Sequence, residues 1–146
     1  MSFKTIKAQV QDVNIGDISE LRGNAQIVRD EPLDAFVDFD IQSNDEAITS
    51  NGRMAITFLD DSIVRLTEHS QLLINEYIYN PNPAKSKMAL TFALGTTRFI
   101  SGNVNKLNKQ NISLKTPTAN IAIRGTDFTA TVDELGRSLI ILLPDA

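Results

Sequence analysis

Between Thr116 and Val132 the chain switches the side on which it carries its apolar residues. Ile121 and Ile123 occupy odd positions, whereas Phe128, Ala130 and Val132 occupy even ones. Side chains on a pleated strand alternate faces with period 2, so one continuous strand cannot direct both sets into the same core. Something between Ile123 and Phe128 must shift the parity by one residue. Gly125 is the expected device, in a bulge or at φ > 0, where a residue without Cβ meets no penalty. A guanidinium (Arg124), a hydroxyl (Thr126) and a carboxylate (Asp127) stand at this corner. A guanidinium so placed is expected to pin a neighbouring turn through bonds to a carboxylate or to backbone carbonyls. Asp60, Asp61 and Asp127 are the first candidates for that carboxylate. The alternative role for Arg124 is direct contact with a partner.

The rest of the chain repeats the period-2 pattern. Ala35 to Ile41 (AFVDFDI) places Ala35, Val37, Phe39 and Ile41 on one face, with Asp38 and Asp40 opposite. Met54, Ile56 and Phe58 line a strand; Asp60-Asp61-Ser62 turns; Val64 and Leu66 return. Met88, Leu90, Phe92 and Leu94 predict another strand that breaks at Gly95. Read this way, the sequence holds about ten short strands with turns about every 8 to 12 residues, and no helical period persists. The expected fold is all-β, an antiparallel two-sheet sandwich or roll. A short β-solenoid is the alternative, although no motif repeats at fixed period. The predicted core is Val37, Phe39, Ile56, Phe58, Leu66, Leu90, Phe92, Ile121, Ile123 and Phe128.

Composition removes most chemistry. At 146 residues the chain is expected to be one domain, long enough to bury a core without staples. It has no Cys, so disulfides, thiolate metal sites and cysteine nucleophiles are excluded. Its one histidine, His69, lies in a turn-like Thr67-Glu68-His69-Ser70 stretch, and no serine sits in a nucleophile-elbow context. No catalytic residue, metal or cofactor is expected. Asp30, Glu31, Asp34, Asp38 and Asp40 offer hard oxygen ligands, but without calcium-loop spacing they read as a solvated face. The chain is acidic and lacks Trp, which argues against nucleic acid as a partner. Residues 1–61 hold 12 acids and 5 bases, and residues 62–146 hold 9 bases and 6 acids. Such asymmetry fits a solvated surface, or subunits stacked head to tail. No apolar run approaches the roughly 18 residues of a membrane span. The first residues, MSFKTIKAQVQDV, show no signal-peptide h-region. Leu139 to Leu143 (LIILL) is apolar throughout, and a strand of that kind wants cover on both faces.

Five segments, in order, resemble the FecR domain family. They are Asp45–Thr49 (DEAIT), Met54–Leu66 (MAITFLDDSIVRL), Ser70–Ile74 (SQLLI), Leu94–Gly102 (LGTTRFISG), and Thr116-Pro117 followed by Ile123-Arg124-Gly125-Thr126-Asp127-Phe128. The likeness runs over about residues 13–143, nearly the whole of a single domain at 1–146. Asp61 stands where the family usually has glycine, and aspartate tolerates the left-handed turn conformation. The resemblance implies a β module that relays signals to sigma factors by protein–protein contact, usually in the periplasm. It also implies a membrane span and a carboxy-terminal portion that are not in this sequence. The chain is then either cut from a longer protein or a relative that is not a membrane-spanning regulator. A competing expectation is a structural domain of a larger assembly, such as a phage virion or tail component or a surface adhesin, placing the chain in a virion or the cytoplasm. A third is a carbohydrate-binding module, with Tyr77 and Tyr79 the available platforms. In the first two readings the partner is another protein or a further copy of the chain.

Overall fold

Strands form where the alternation is cleanest. The computed structural model describes residues 14–102, 111–121 and 127–143. In these it has β1 (Gly16–Arg22), β2 (Ala25–Arg29), β3 (Glu31–Asp34), β4 (Asp40–Ile41), β5 (Glu46–Thr49), β6 (Arg53–Phe58), β7 (Ile63–Leu66), β8 (Gln71–Ile78), β9 (Lys87–Ile100), β10 (Ile112–Lys115), β11 (Asn120–Ile121), β12 (Phe128–Val132) and β13 (Ser138–Leu142). One 3₁₀ turn spans Pro83–Lys85. Tight hairpins close on residues with left-handed backbone: Asp30 (φ 65°) between β2 and β3, and Asp61 (φ 69°) between β6 and β7. Short polar side chains tolerate that region. Asp61 therefore makes the turn for which the resemblance implies glycine.

The strands join into one curled sheet in the order β3-β2-β5-β8-β9-β7-β6-β1-β4, with β10 to β13 branching from β9. Among the described residues β9–β10 is parallel and every other pairing is antiparallel. A solenoid stacks its coils in parallel, so that alternative does not describe the chain. The sheet folds over one core. Phe58 of β6 stacks on Tyr77 of β8 with ring centroids 4.9 Å apart. Phe128 of β12 lies 5.3 Å from Phe99 and 5.6 Å from Phe92. Ile18, Ile27, Ile56, Val64, Leu72 and Leu90 fill the space between them, all fully buried.

Two sequence expectations are corrected. Ala35–Ile41 is not one strand: β3 ends at Asp34, a turn follows, and β4 is only Asp40–Ile41. The turn closes through Phe39 N–H to Phe36 O (3.1 Å) and is held on β1 by Asp38 N–H to Ile18 O (2.8 Å). Asp38 takes φ 72°. The alternation is cut there, so Phe39 and Ile41 are buried while Val37 is 49% exposed. Asp38 and Asp40 accordingly do not share a strand face.

The second correction concerns Gly95, which does not end its strand. Strand β9 runs through it for 14 residues. Its first half lies between β8 and β10, and its second half between β7 and β12. Gly95 has φ 81° and packs against Ser70; a Cβ there would sit 2.7 Å from the His69 carbonyl oxygen. Before it the buried residues are even (Met88, Leu90, Phe92), and after it they are odd (Thr97, Phe99). Gly95 thus shifts the parity of the buried side chains within a single strand, a device of the kind expected at Gly125. Gly125 and Ile123 lie outside the described residues.

Candidate functional site

The described residues among those singled out at the corner fall in two places: the Asp60 turn and Asp127 both bond to Ser101–Gly102, whereas Thr116 bonds to the start of β13. Asp60 is buried. Its Oδ1 accepts from the Tyr77 hydroxyl (2.8 Å) and from Ser62 N–H (3.1 Å), and its Oδ2 accepts from the Ser62 hydroxyl (2.8 Å). The Tyr77 oxygen in turn accepts from Asp60 N–H (3.1 Å). Ser62 Oγ then accepts from Gly102 N–H (3.0 Å). A Cβ on Gly102 would fall 2.5 Å from Ser62 N, so only glycine approaches this turn so closely. Burial, then the hydrogen bond and charge of Asp60, push the Tyr77 phenol above its ordinary range. Asp61, at the exposed tip, donates its N–H to Phe58 O (3.0 Å).

Asp127 is half-buried and accepts from Ser101 N–H (3.0 Å) and the Ser101 hydroxyl (3.2 Å), tying the start of β12 to the end of β9. Phe128 beside it is a core residue. Thr116 is buried at the end of β10; its Oγ1 accepts from Thr118 N–H (3.2 Å) and Ala119 N–H (3.0 Å), and lies 2.5 Å from Ser138 Oγ. Pro117 is exposed and faces the β12–β13 turn, where Gly136 leaves room for it. Arg124 and Thr126 lie outside the described residues. Ile121 is half-buried against the core.

The sequence reading missed a guanidinium that does pin a loop. Arg29, at the end of β2, holds Asp45 with two parallel bonds, Nε to Oδ1 at 2.8 Å and Nη2 to Oδ2 at 2.7 Å. The same Nη2 donates to Asp40 O (2.9 Å), and the guanidinium carbon lies 5.4 Å from the Phe39 ring centroid. Asp45 is fully buried and also accepts from Gln42 N–H (2.8 Å). Thr49, four residues on, donates its hydroxyl to Thr67 O (2.5 Å) and accepts from Ser70 N–H (2.9 Å). The two polar ends of the DEAIT segment are therefore loop anchors. An acid in an otherwise apolar-patterned segment was the available signal, since a buried carboxylate needs a cation.

Among the described residues, no three His, Asp or Glu side chains come together as a metal site would require. What remains exposed is an edge. Strand β13 pairs with β12 alone among the described residues. Leu139, Ile141 and Leu142 on it are 59%, 50% and 61% exposed, and Leu135 in the preceding turn is 77% exposed. An uncovered apolar edge is a template for another strand.

Residues 44–143 match the FecR protein family. The chain belongs to the FecR family. Curated proteins and solved structures yield no significant match. Within this FecR domain the matched stretch holds the Asp45, Thr49, Asp60 and Asp127 anchors, and it ends with the exposed β13 edge.

Tyr77→Phe tests the Asp60 anchor. It should cost about 1–3 kcal/mol, because a buried carboxylate loses a donor. The wild-type phenol is raised, so the unfolded chain gives up this proton first as pH climbs past the ordinary tyrosine value of about 10. Stability present below that pH is lost above it, and the variant should show a shallower alkaline decline. Urea titrations at neutral and alkaline pH read both effects. Parallel curves for the two proteins would rule out the anchor.

Proposed function

We propose that this FecR domain is a non-catalytic protein-recognition module, used in signal relay as its family suggests, with β13 as its contact strand. The exposed apolar β13 edge carries the reading. A strand added there would complete the backbone ladder and cover Leu139, Ile141 and Leu142. The polar anchors at Asp45, Asp60 and Thr116 are occupied in holding loops. That is the work of a scaffold, with affinity supplied by surface.

The same edge favours a second reading, a structural domain in a larger assembly, because an open edge also admits a further copy of the chain. A carbohydrate module finds less support: the Tyr77 ring is inside the core, leaving Tyr79 as the exposed tyrosine. No helix among the described residues is long and apolar enough to cross a membrane.

The experiment places lysine on the edge, as Leu139→Lys with Leu142→Lys. Both side chains are exposed, so the fold should survive while strand addition is blocked. Sedimentation velocity over a concentration series should show larger species for the wild type and a monomer for the variant. Assembly that persists unchanged in the variant would remove β13 from the contact.

A further inference from the structure

The outer face of β1, β6, β7, β9 and β12 holds a groove of about 960 Å³ whose charged side chains none of the anchors above uses. Four guanidiniums line it: Arg22, Arg53, Arg65 and Arg98. The strand register sets them opposite one another in like-charged pairs, Arg22 with Arg53 and Arg65 with Arg98. Like charges directly across a ladder are destabilising. In each pair one member is neutralised: Arg53 donates to Glu68 at 2.8 Å, and Arg65 pairs with Glu20. Arg22 and Arg98 have no acidic partner among the described residues. The groove therefore concentrates two unmatched cations in a chain whose net charge is −4.

Its shape narrows the ligand further. One cross-strand row runs Glu20, Ala55, Arg65, Arg98, Thr129 and Ile141. Residues paired this way share a face. Ala55 is the small floor over which Glu20 reaches Arg65. At the β13 end of the row is Ile141, 50% exposed. The turn that docks on β1 brings Val37, 49% exposed, to the groove's lining as well. The row is thus cationic in the middle, with exposed apolar groups towards both ends. Five inter-strand steps span about 24 Å, the length of about seven extended residues.

We propose that this groove binds an acidic peptide segment of a protein partner, with carboxylates on Arg22 and Arg98 and apolar side chains against Val37 and Ile141. The inference rests on reading the domain as a protein-recognition module and names the chemistry of what it recognises. Guanidinium forks match carboxylates bidentately. The two exposed ion pairs are weak enough to exchange, so Glu20 and Glu68 can yield to a ligand's acids. A phosphate ion or a sulfated polysaccharide would satisfy the charges and leave both apolar groups bare.

The test uses the full chain and a short fluorescein-labelled peptide of alternating aspartate and leucine, followed by anisotropy at low salt. The peptide should bind, and raising the salt should weaken it. Replacing its aspartates with serine should abolish binding. Arg22→Gln with Arg98→Gln should weaken it about tenfold or more, the scale of lost charged hydrogen bonds. Glu20→Gln should strengthen it. Equal binding by the double variant would overturn the site. So would a peptide whose leucines can become serines without loss, or a sulfated polysaccharide that binds the same arginines more tightly. The β13 edge assay uses no peptide, so a peptide that fails to bind overturns the groove alone.

Discussion

Phe128→Ala should destabilise the domain by about 3–5 kcal/mol, the range for deleting a buried aromatic ring. Phe128 is 1% exposed and contacts the rings of Phe92 and Phe99. Its strand is hydrogen-bonded on both sides, to β9 and to β13, so the backbone cannot move in to fill the void. The cost of such a cavity rises as collapse becomes harder. Val37→Ala is the matched comparison. Both residues fall on apolar alternations, but Val37 is half exposed on a turn, and its truncation should change stability by about 0.5 kcal/mol or less. Urea unfolding of the two variants decides it: similar midpoints would mean that the two positions are not distinguished by burial.

Arg29→Ala should cost about as much, roughly 3–5 kcal/mol, because removing one partner of a buried pair strands the other's charge. Asp45 is fully buried and Arg29 is 30% exposed, so water cannot replace the lost guanidinium cheaply. The loss also frees the Asp40 carbonyl and uncovers the Phe39 ring. The discriminating measurement repeats Arg29→Ala in an Asp45→Asn background, where there is no charge left to strand. The second substitution should then be much milder. If it costs the same in both backgrounds, packing of the arginine side chain, not the pair, accounts for the effect.

Local pattern carried the core and missed the corners. Ile56, Phe58, Leu66, Leu90, Phe92 and Phe128 follow from period 2 alone, because each has an apolar partner two positions away on the same strand; Phe39 is buried as well, but from the turn before β4. Val37 shows where that rule stops: the turn at Asp38 depends on a bond to the Ile18 carbonyl, twenty residues earlier in the chain. Gly95 shows the same from the other side. A glycine that changes strand parity and one that ends a strand look alike until the neighbouring strands are known. The four-arginine groove was not legible at all, and the Arg29–Asp45 pair only from the side of its acid. Both are products of register, which brings together residues far apart in sequence, and no spacing within one segment announces it. The Thr116 and Asp127 anchors fell among the family's motif residues, but their partners Ser138 and Ser101 emerge only from the fold.

The continuity of β9 has a consequence for how the domain comes apart. At about 3.3 Å per residue, 14 residues make a rod of about 46 Å that belongs to both halves of the curled sheet. Neither half can be peeled away while the other stays folded, because each would leave half of the same strand without its ladder. The domain has no seam. Melting should then be a single cooperative event, and tension applied at an edge strand would be passed through one backbone to the far side instead of being absorbed by a yielding joint between two sheets.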